Sequence, residues 1–124
     1  MKFENTGLEN LTAELKVLDE VLPKYGFTRA EHWDYEKVCY DRKFELTEGI
    51  FYLRVNGTVM EGDAGAHRAV IKLEQPVLGK YYFQYGLACG EDENFPKYLT
   101  DRCIQLLENL REELSTLSGI AIGD

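Results

Sequence analysis

The stretch YEKVCYDRKFELTEGIFYLRVNGTVM, residues 35–60, decides the fold. Val38, Tyr40, Phe44 and Leu46 alternate with Cys39, Asp41, Lys43 and Glu45, the period of two that marks a β-strand with one buried face. Thr47-Glu48-Gly49 turns the chain tightly, and Phe51, Leu53, Val55 and Val59 then resume the alternation. Asn56-Gly57 is a hairpin signal inside this second run. Because Thr58 and Val59 keep the period, one long strand is favoured, with Gly57 as a bulge or a point of close helix approach.

Downstream, Ala69, Ile71 and Leu73 alternate with Arg68, Val70 and Lys72. PVLG, residues 76–79, turns the chain, and Tyr81, Phe83, Tyr85 and Leu87 alternate with Tyr82 and Gln84. Four strands with short links make an antiparallel meander. Upstream, Leu8, Leu11, Leu15, Leu18 and Leu22 recur every three or four residues, the stripe of an amphipathic helix. Thr6 and Glu9 have the spacing of a capping box, and Pro23 and Gly26 end the helix. Lys2–Asn5 is a candidate edge strand. A second, longer helix follows GEDEN and Pro96, with Leu99, Cys103, Leu106, Leu110, Leu114 and Leu117 as its apolar stripe and Ser118-Gly119 as its stop. The expectation is one α+β domain over residues 1–124, in the order (β)-α-β-β-β-β-α. It has two layers: an antiparallel four-stranded meander with two helices packed on one face.

A chain of 124 residues can bury a core without disulfides or a structural metal. No apolar run approaches a membrane span, and MKFENTGLENL lacks the apolar core of a signal peptide. The three cysteines, Cys39, Cys89 and Cys103, are odd in number and show no CxxC spacing, as in a reducing, cytoplasmic compartment. The net charge is −8; Tyr35–Ala88 holds seven basic and seven acidic residues, so the whole excess lies outside it. Such acidity argues against nucleic acid as a partner.

Candidate sites are few. Glu61, Asp63 and His67 in EGDAGAH match no metal spacing, and Gly62 and Gly65 lack the lysine, serine and helix of a phosphate loop. The segment reads as a strand connector, with no metal and no cofactor. In EHWDYE, residues 31–36, His32 and Asp34 flank Trp33, but neighbours in an extended chain point to opposite faces, so adjacency makes no dyad. No Ser/His/Asp or Cys/His arrangement is legible, and no catalytic residue is assigned. Arg42 falls by count on the apolar side of its strand. It either discourages edge pairing or clamps an anionic small molecule between helices and sheet, with Tyr40 and Tyr85 beside it. The outer face is expected to carry Tyr35, Lys37, Tyr52, Arg54, Arg68, Val70, Lys72 and Tyr82. Asp41 would oppose Arg54, and Arg54 would oppose Glu74. Tyrosine and arginine concentrate binding energy at interfaces, so this face is the candidate surface for association with a second copy or with another protein.

The stretches MKFENTGLE, HWDYEKVCYDRKFE, FYLRVNGTV, EGDAGAHRAVIKLEQPVLGKYY and YGLACGEDENFP together resemble the YugN-like family of Bacillus-type Gram-positive bacteria. The resemblance implies a small cytoplasmic α+β protein and brings no activity or catalytic residue with it. The expected function is a non-enzymatic, acidic, cytoplasmic interaction or regulatory domain that forms a homodimer. A small-molecule binder using Tyr40, Arg42 and Tyr85 is the alternative.

Overall fold

The computed structural model describes residues 1–30, 36–62, 69–90 and 93–118. In chain order the elements are β1 (Thr12–Glu14), α1 (Leu15–Val21), a 3-10 turn (Leu22–Tyr25), β2 (Thr28–Arg29), β3 (Lys37–Leu46) and β4 (Gly49–Glu61). After these come β5 (Val70–Leu73), β6 (Val77–Tyr82), β7 (Gly86–Ala88) and α2 (Lys97–Ser118). The protein is α+β, with an antiparallel sheet and two helices covering one of its faces.

The hairpin of β3 and β4 is the framework. Its ladder runs without interruption from Leu46↔Gly49 to Lys37↔Thr58. Asn56-Gly57 is therefore strand interior, as the continued alternation indicated. Directly opposed residues share a face, so Val38, Tyr40, Arg42 and Phe44 stand with Gly57, Val55, Leu53 and Phe51 on the helix side. On its other edge β4 serves two strands in turn. Ile50–Arg54 spans the pairing with β6, and Gly57–Glu61 spans the pairing with β5.

Strands β5 and β6 are two parts of one irregular strand. Gly57 opposes Leu73 while Arg54 opposes Val77, so three residues (Glu74, Gln75 and Pro76) face two on β4. The Glu74 amide still donates to the Asn56 carbonyl at 2.9 Å. This bulge corrects the expected turn at PVLG: Val77, Leu78 and Gly79 are strand, and the reversal lies at Phe83–Tyr85, between β6 and β7. The physical reason is that proline at a bulge costs no ladder hydrogen bond. Gly79 meanwhile sits where a Cβ would lie 2.5 Å from Leu87 Cγ, so only glycine lets β7 fold over.

The first helix is shorter than its leucine stripe suggested. Asn10 takes φ 71°, a left-handed conformation that no helix interior contains. Thr12–Glu14 then pairs with β5, giving that strand a partner on its second edge. The capping box at Thr6 does not form, because α1 begins only at Leu15. Every leucine of the stripe is nevertheless buried. Leu11 and Leu15 are four apart, which is an even number as well as a helical turn, so strand and helix place them on the same side. Lys2 makes a single bridge to Val77 in place of a longer edge strand. Gly26 ends the 3-10 turn at φ 85°, as anticipated.

Helix α2 begins after Pro96, whose carbonyl accepts from the amides of Leu99 and Thr100. Leu99, Cys103, Leu106, Leu110 and Leu114 face the core together with Leu107, whereas Leu117 is exposed. The 3-10 turn is tied to this helix by Glu113, which accepts from Lys24 Nζ at 2.9 Å and from the Tyr25 hydroxyl at 2.7 Å.

Gly57 gives the sharpest test of this packing. A Cβ there would lie 2.3 Å from Ile71 Cγ2 and 3.2 Å from Val38 Cγ2, so side chains of the flanking strands fill the space. Gly57→Ala is expected to lower stability by about 1–3 kcal/mol through overpacking, read as a reduced urea midpoint with an unchanged slope.

Candidate functional site

The face of the sheet turned away from the helices is covered by no described element, and it divides into an apolar and a polar half. At the apolar end, Ile50 opposes Tyr81, and Tyr81 opposes Leu87. One row on, the Tyr52 ring meets Tyr81 edge-on, with centroids 6.1 Å apart and planes at 75°. Gly79 opposes Tyr52, and the side chains of Leu87 and Cys89 lie over it. In the next row Asp41, Arg54 and Val77 stand side by side.

The Asp41–Arg54 pair was expected, and its geometry is a fork. Arg54 Nε donates to Asp41 Oδ1 at 2.8 Å and Nη2 to Oδ2 at 3.0 Å. The carboxylate raises the already high pKa of Arg54 further. Arg54 opposes Val77 and not Glu74: the β4–β5 register is already two residues from the expected one, and the bulge adds a third. Glu74 instead accepts from the Thr58 hydroxyl at 2.9 Å. Beyond it, Lys37, Thr58, Lys72 and Thr12 form a polar row.

Of the residues expected on this face, Tyr52, Arg54, Val70, Lys72 and Lys37 are there. Tyr35 and Arg68 lie outside the described residues, as do His32, Trp33, Asp34, Asp63 and His67. Tyr82 is on the opposite side. It follows Leu78 and Lys80 in the alternation of β6, and its hydroxyl donates to Glu93 at 2.6 Å. The cause is again the bulge and the earlier strand start, which reverse the parity of residues 77–82. The same reversal brings Tyr81 to the outer face, where it was not expected. Ile50 and Leu87 complete the group that the alternation alone did not single out.

Tyr40, Arg42 and Tyr85 do not form a pocket. Tyr40 is buried in the core, and its hydroxyl donates to Asp19 Oδ1 at 2.7 Å, linking β3 to α1. Arg42 is on the helix side as the count indicated, opposite Leu53. Its Nη1 donates to the Tyr25 carbonyl at 2.7 Å, and its guanidinium stacks 4.8 Å from the Phe44 ring centre. Partial burial and the neighbouring Arg102 lower its pKa from the ordinary arginine value. Arg42 thus satisfies the last carbonyl of the 3-10 turn. Tyr85 sits in the β6–β7 reversal and is 88% exposed, beyond the end of the sheet from Arg42. Residues 81–85 place Phe83 and Tyr85 side by side in solvent at this tip.

No group of three His, Cys, Asp or Glu residues suited to a metal occurs among the described residues. The cysteines are free. Burial pushes the Cys103 thiol up to about 12 and, with Asp41 nearby, the Cys39 thiol up to about 11. Neither is a nucleophile near neutral pH. No described helix is long and apolar enough to cross a membrane.

These features define a class: a two-layer α+β protein whose antiparallel sheet is packed on one face and open on the other. The model of the YugN-like family matches residues 4–108, and the chain belongs to that family. It is 44% identical over 117 residues to the Bacillus subtilis (strain 168) protein described as "Uncharacterized protein YlbA", covering 94% of this chain and 98% of that protein. It is also similar to the crystal structure of the conserved protein YugN from Geobacillus kaustophilus HTA426. There the TM-score is 0.83 at 47% identity, over 94% of this chain and 97% of the other.

Two measurements check the assignments of Tyr40 and Cys103. Tyr40→Phe removes the bond to a carboxylate that is itself partly solvated, and it is expected to cost about 1 kcal/mol in chemical denaturation. Cys103 titrates at 9.0 when unperturbed and at about 12 in the fold. Its raised pKa therefore adds stability in full below pH 9, and that contribution is lost as pH rises toward 12. Cys103→Ala is expected to flatten the fall in stability over that interval.

Proposed function

We propose that this protein is a non-enzymatic association module of the cytoplasm that pairs with a second copy of itself through the open face of its sheet. The observation that carries the reading is the apolar cluster of Ile50, Tyr52, Val77, Tyr81 and Leu87 on a face that no described element covers. An antiparallel sheet with one face in water ordinarily alternates apolar-in and polar-out. Here the outward residues of β4, β6 and β7 at one end of the sheet are themselves apolar.

A second copy fits this surface better than an unrelated partner for two reasons of charge. The chain carries −8 overall, yet Tyr35–Ala88, which includes β3 through β7, is neutral. Two copies repel through most of their surface and approach most easily here. A two-fold interface must also be self-complementary. Beside the apolar cluster, β3 presents Lys43 and Glu45, of opposite sign and 3.8 Å apart, with side chains 47% and 72% exposed. About a two-fold axis, each can face the other's counterpart. The free state of the three cysteines supports a reducing compartment.

Native mass spectrometry and sedimentation of the purified protein test the reading directly. The wild type is expected to be a dimer, and Ile50→Asp with Tyr81→Ser is expected to give a monomer with an unaltered circular-dichroism spectrum. A wild type that remains monomeric at roughly 100 µM, an association weaker than about 5.5 kcal/mol, overturns it.

A further inference from the structure

At the other end of the open face, where β5 passes into β6, the bulge at Glu74–Pro76 opens a hollow of about 560 Å³. That volume lies within the range of small-molecule sites. Five side chains from separate parts of the chain converge on it: Lys2, Asn10, Asn56, Lys72 and Gln75. None makes a side-chain hydrogen bond or ion pair with another described residue. Asn56, Lys72 and Gln75 are nevertheless half-buried. Their amide and ammonium atoms reach solvent and are engaged by no described side chain, which leaves them open to a ligand.

The backbones that carry these groups are locked in place. The Asn56 carbonyl accepts from Glu74, the Asn10 amide donates to Leu73 at 2.8 Å, and Lys2 bridges Val77. Asn10 also holds a left-handed φ of 71°. The attachment points of these side chains are therefore fixed, which lowers the backbone ordering cost of binding.

The geometry points to a site for a phosphorylated small polyol, of the sugar-phosphate class. Lys2 and Lys72 supply two positive charges that no described carboxylate pairs, suited to a phosphate monoester. Asn10, Asn56 and Gln75 each offer a donor and an acceptor, the pattern that vicinal hydroxyls match. Glu9 and Glu74 also line the hollow. Their carboxylates accept hydroxyl hydrogens and repel a second anionic group, so a single phosphate at the lysine side is favoured. Val77 belongs both to the apolar cluster and to the wall of this hollow, whereas Ile50, Tyr52, Tyr81 and Leu87 lie outside it.

Titration of the nitrogen-15-labelled protein with glucose 6-phosphate, glucose and inorganic phosphate tests the assignment, because the side-chain amide signals of Asn10, Asn56 and Gln75 report contact directly. Saturable shifts are expected with glucose 6-phosphate, at an affinity at least about tenfold above either fragment. Lys72→Gln and, separately, Lys2→Gln are each expected to weaken binding by about tenfold or more with the backbone spectrum preserved, while Lys97→Gln on α2 leaves it unchanged. Absence of saturable shifts up to roughly 10 mM, equal binding of inorganic phosphate, or indifference to both lysine substitutions overturns the proposal.

Discussion

Strand β4 is hydrogen-bonded along one edge to β3 and along the other to β5 and β6 in succession. An extended backbone has two rows of polar groups, and burying them without partners costs more than most side-chain contacts return. Thirteen residues of continuous strand therefore demand partners on both edges. The rest of the sheet is the way this chain meets that demand. The hairpin turn at Thr47-Glu48 lays β3 along one side. The other side is filled by a single crossing of residues 70–82, which must bulge at Glu74–Pro76 to stay in contact. From that bulge come the reversed parity of β6, the apolar end of the open face and the hollow at its polar end.

The core and its framework were legible because they rest on local periodicity. The β3–β4 register, the inward count of Arg42, the Asp41–Arg54 pair and the buried stripe of α2 all follow from alternation or helical spacing within one element. Leu8–Leu22 was legible as a buried stripe but not as a helix throughout. A spacing of four is ambiguous between strand and helix, and the pairing of Thr12–Glu14 with β5 decides it from outside the segment. PVLG was not legible as strand, since Pro76 and Gly79 carry turn propensity and only the neighbouring strands reveal their roles. The misplacement of Tyr82 and the omission of Tyr81 follow from that single residue of slip. The outer face of the sheet was thus legible as such, but with partly different residues on it.

Arg42 shows how one side chain can answer to several constraints. It stands on the apolar face, beyond the two residues of β3 that β2 covers, and its charge is accommodated by a backbone carbonyl and a phenyl ring. Its place is structural: the guanidinium closes the 3-10 turn and keeps Gly26 against the sheet, where a Cβ would lie 3.2 Å from Arg42 Cδ.

The perimeter of the sheet has one more consequence. β1, β2 and β7 are three, two and three residues long, and along β3 beyond β2 the residues Arg42, Lys43 and Glu45 are charged. Strand-to-strand addition at an edge repeats without limit and ends in fibres, whereas contact between two faces about a two-fold axis uses up its own surface. Rims this short and charged leave little edge on which such a fibre could grow.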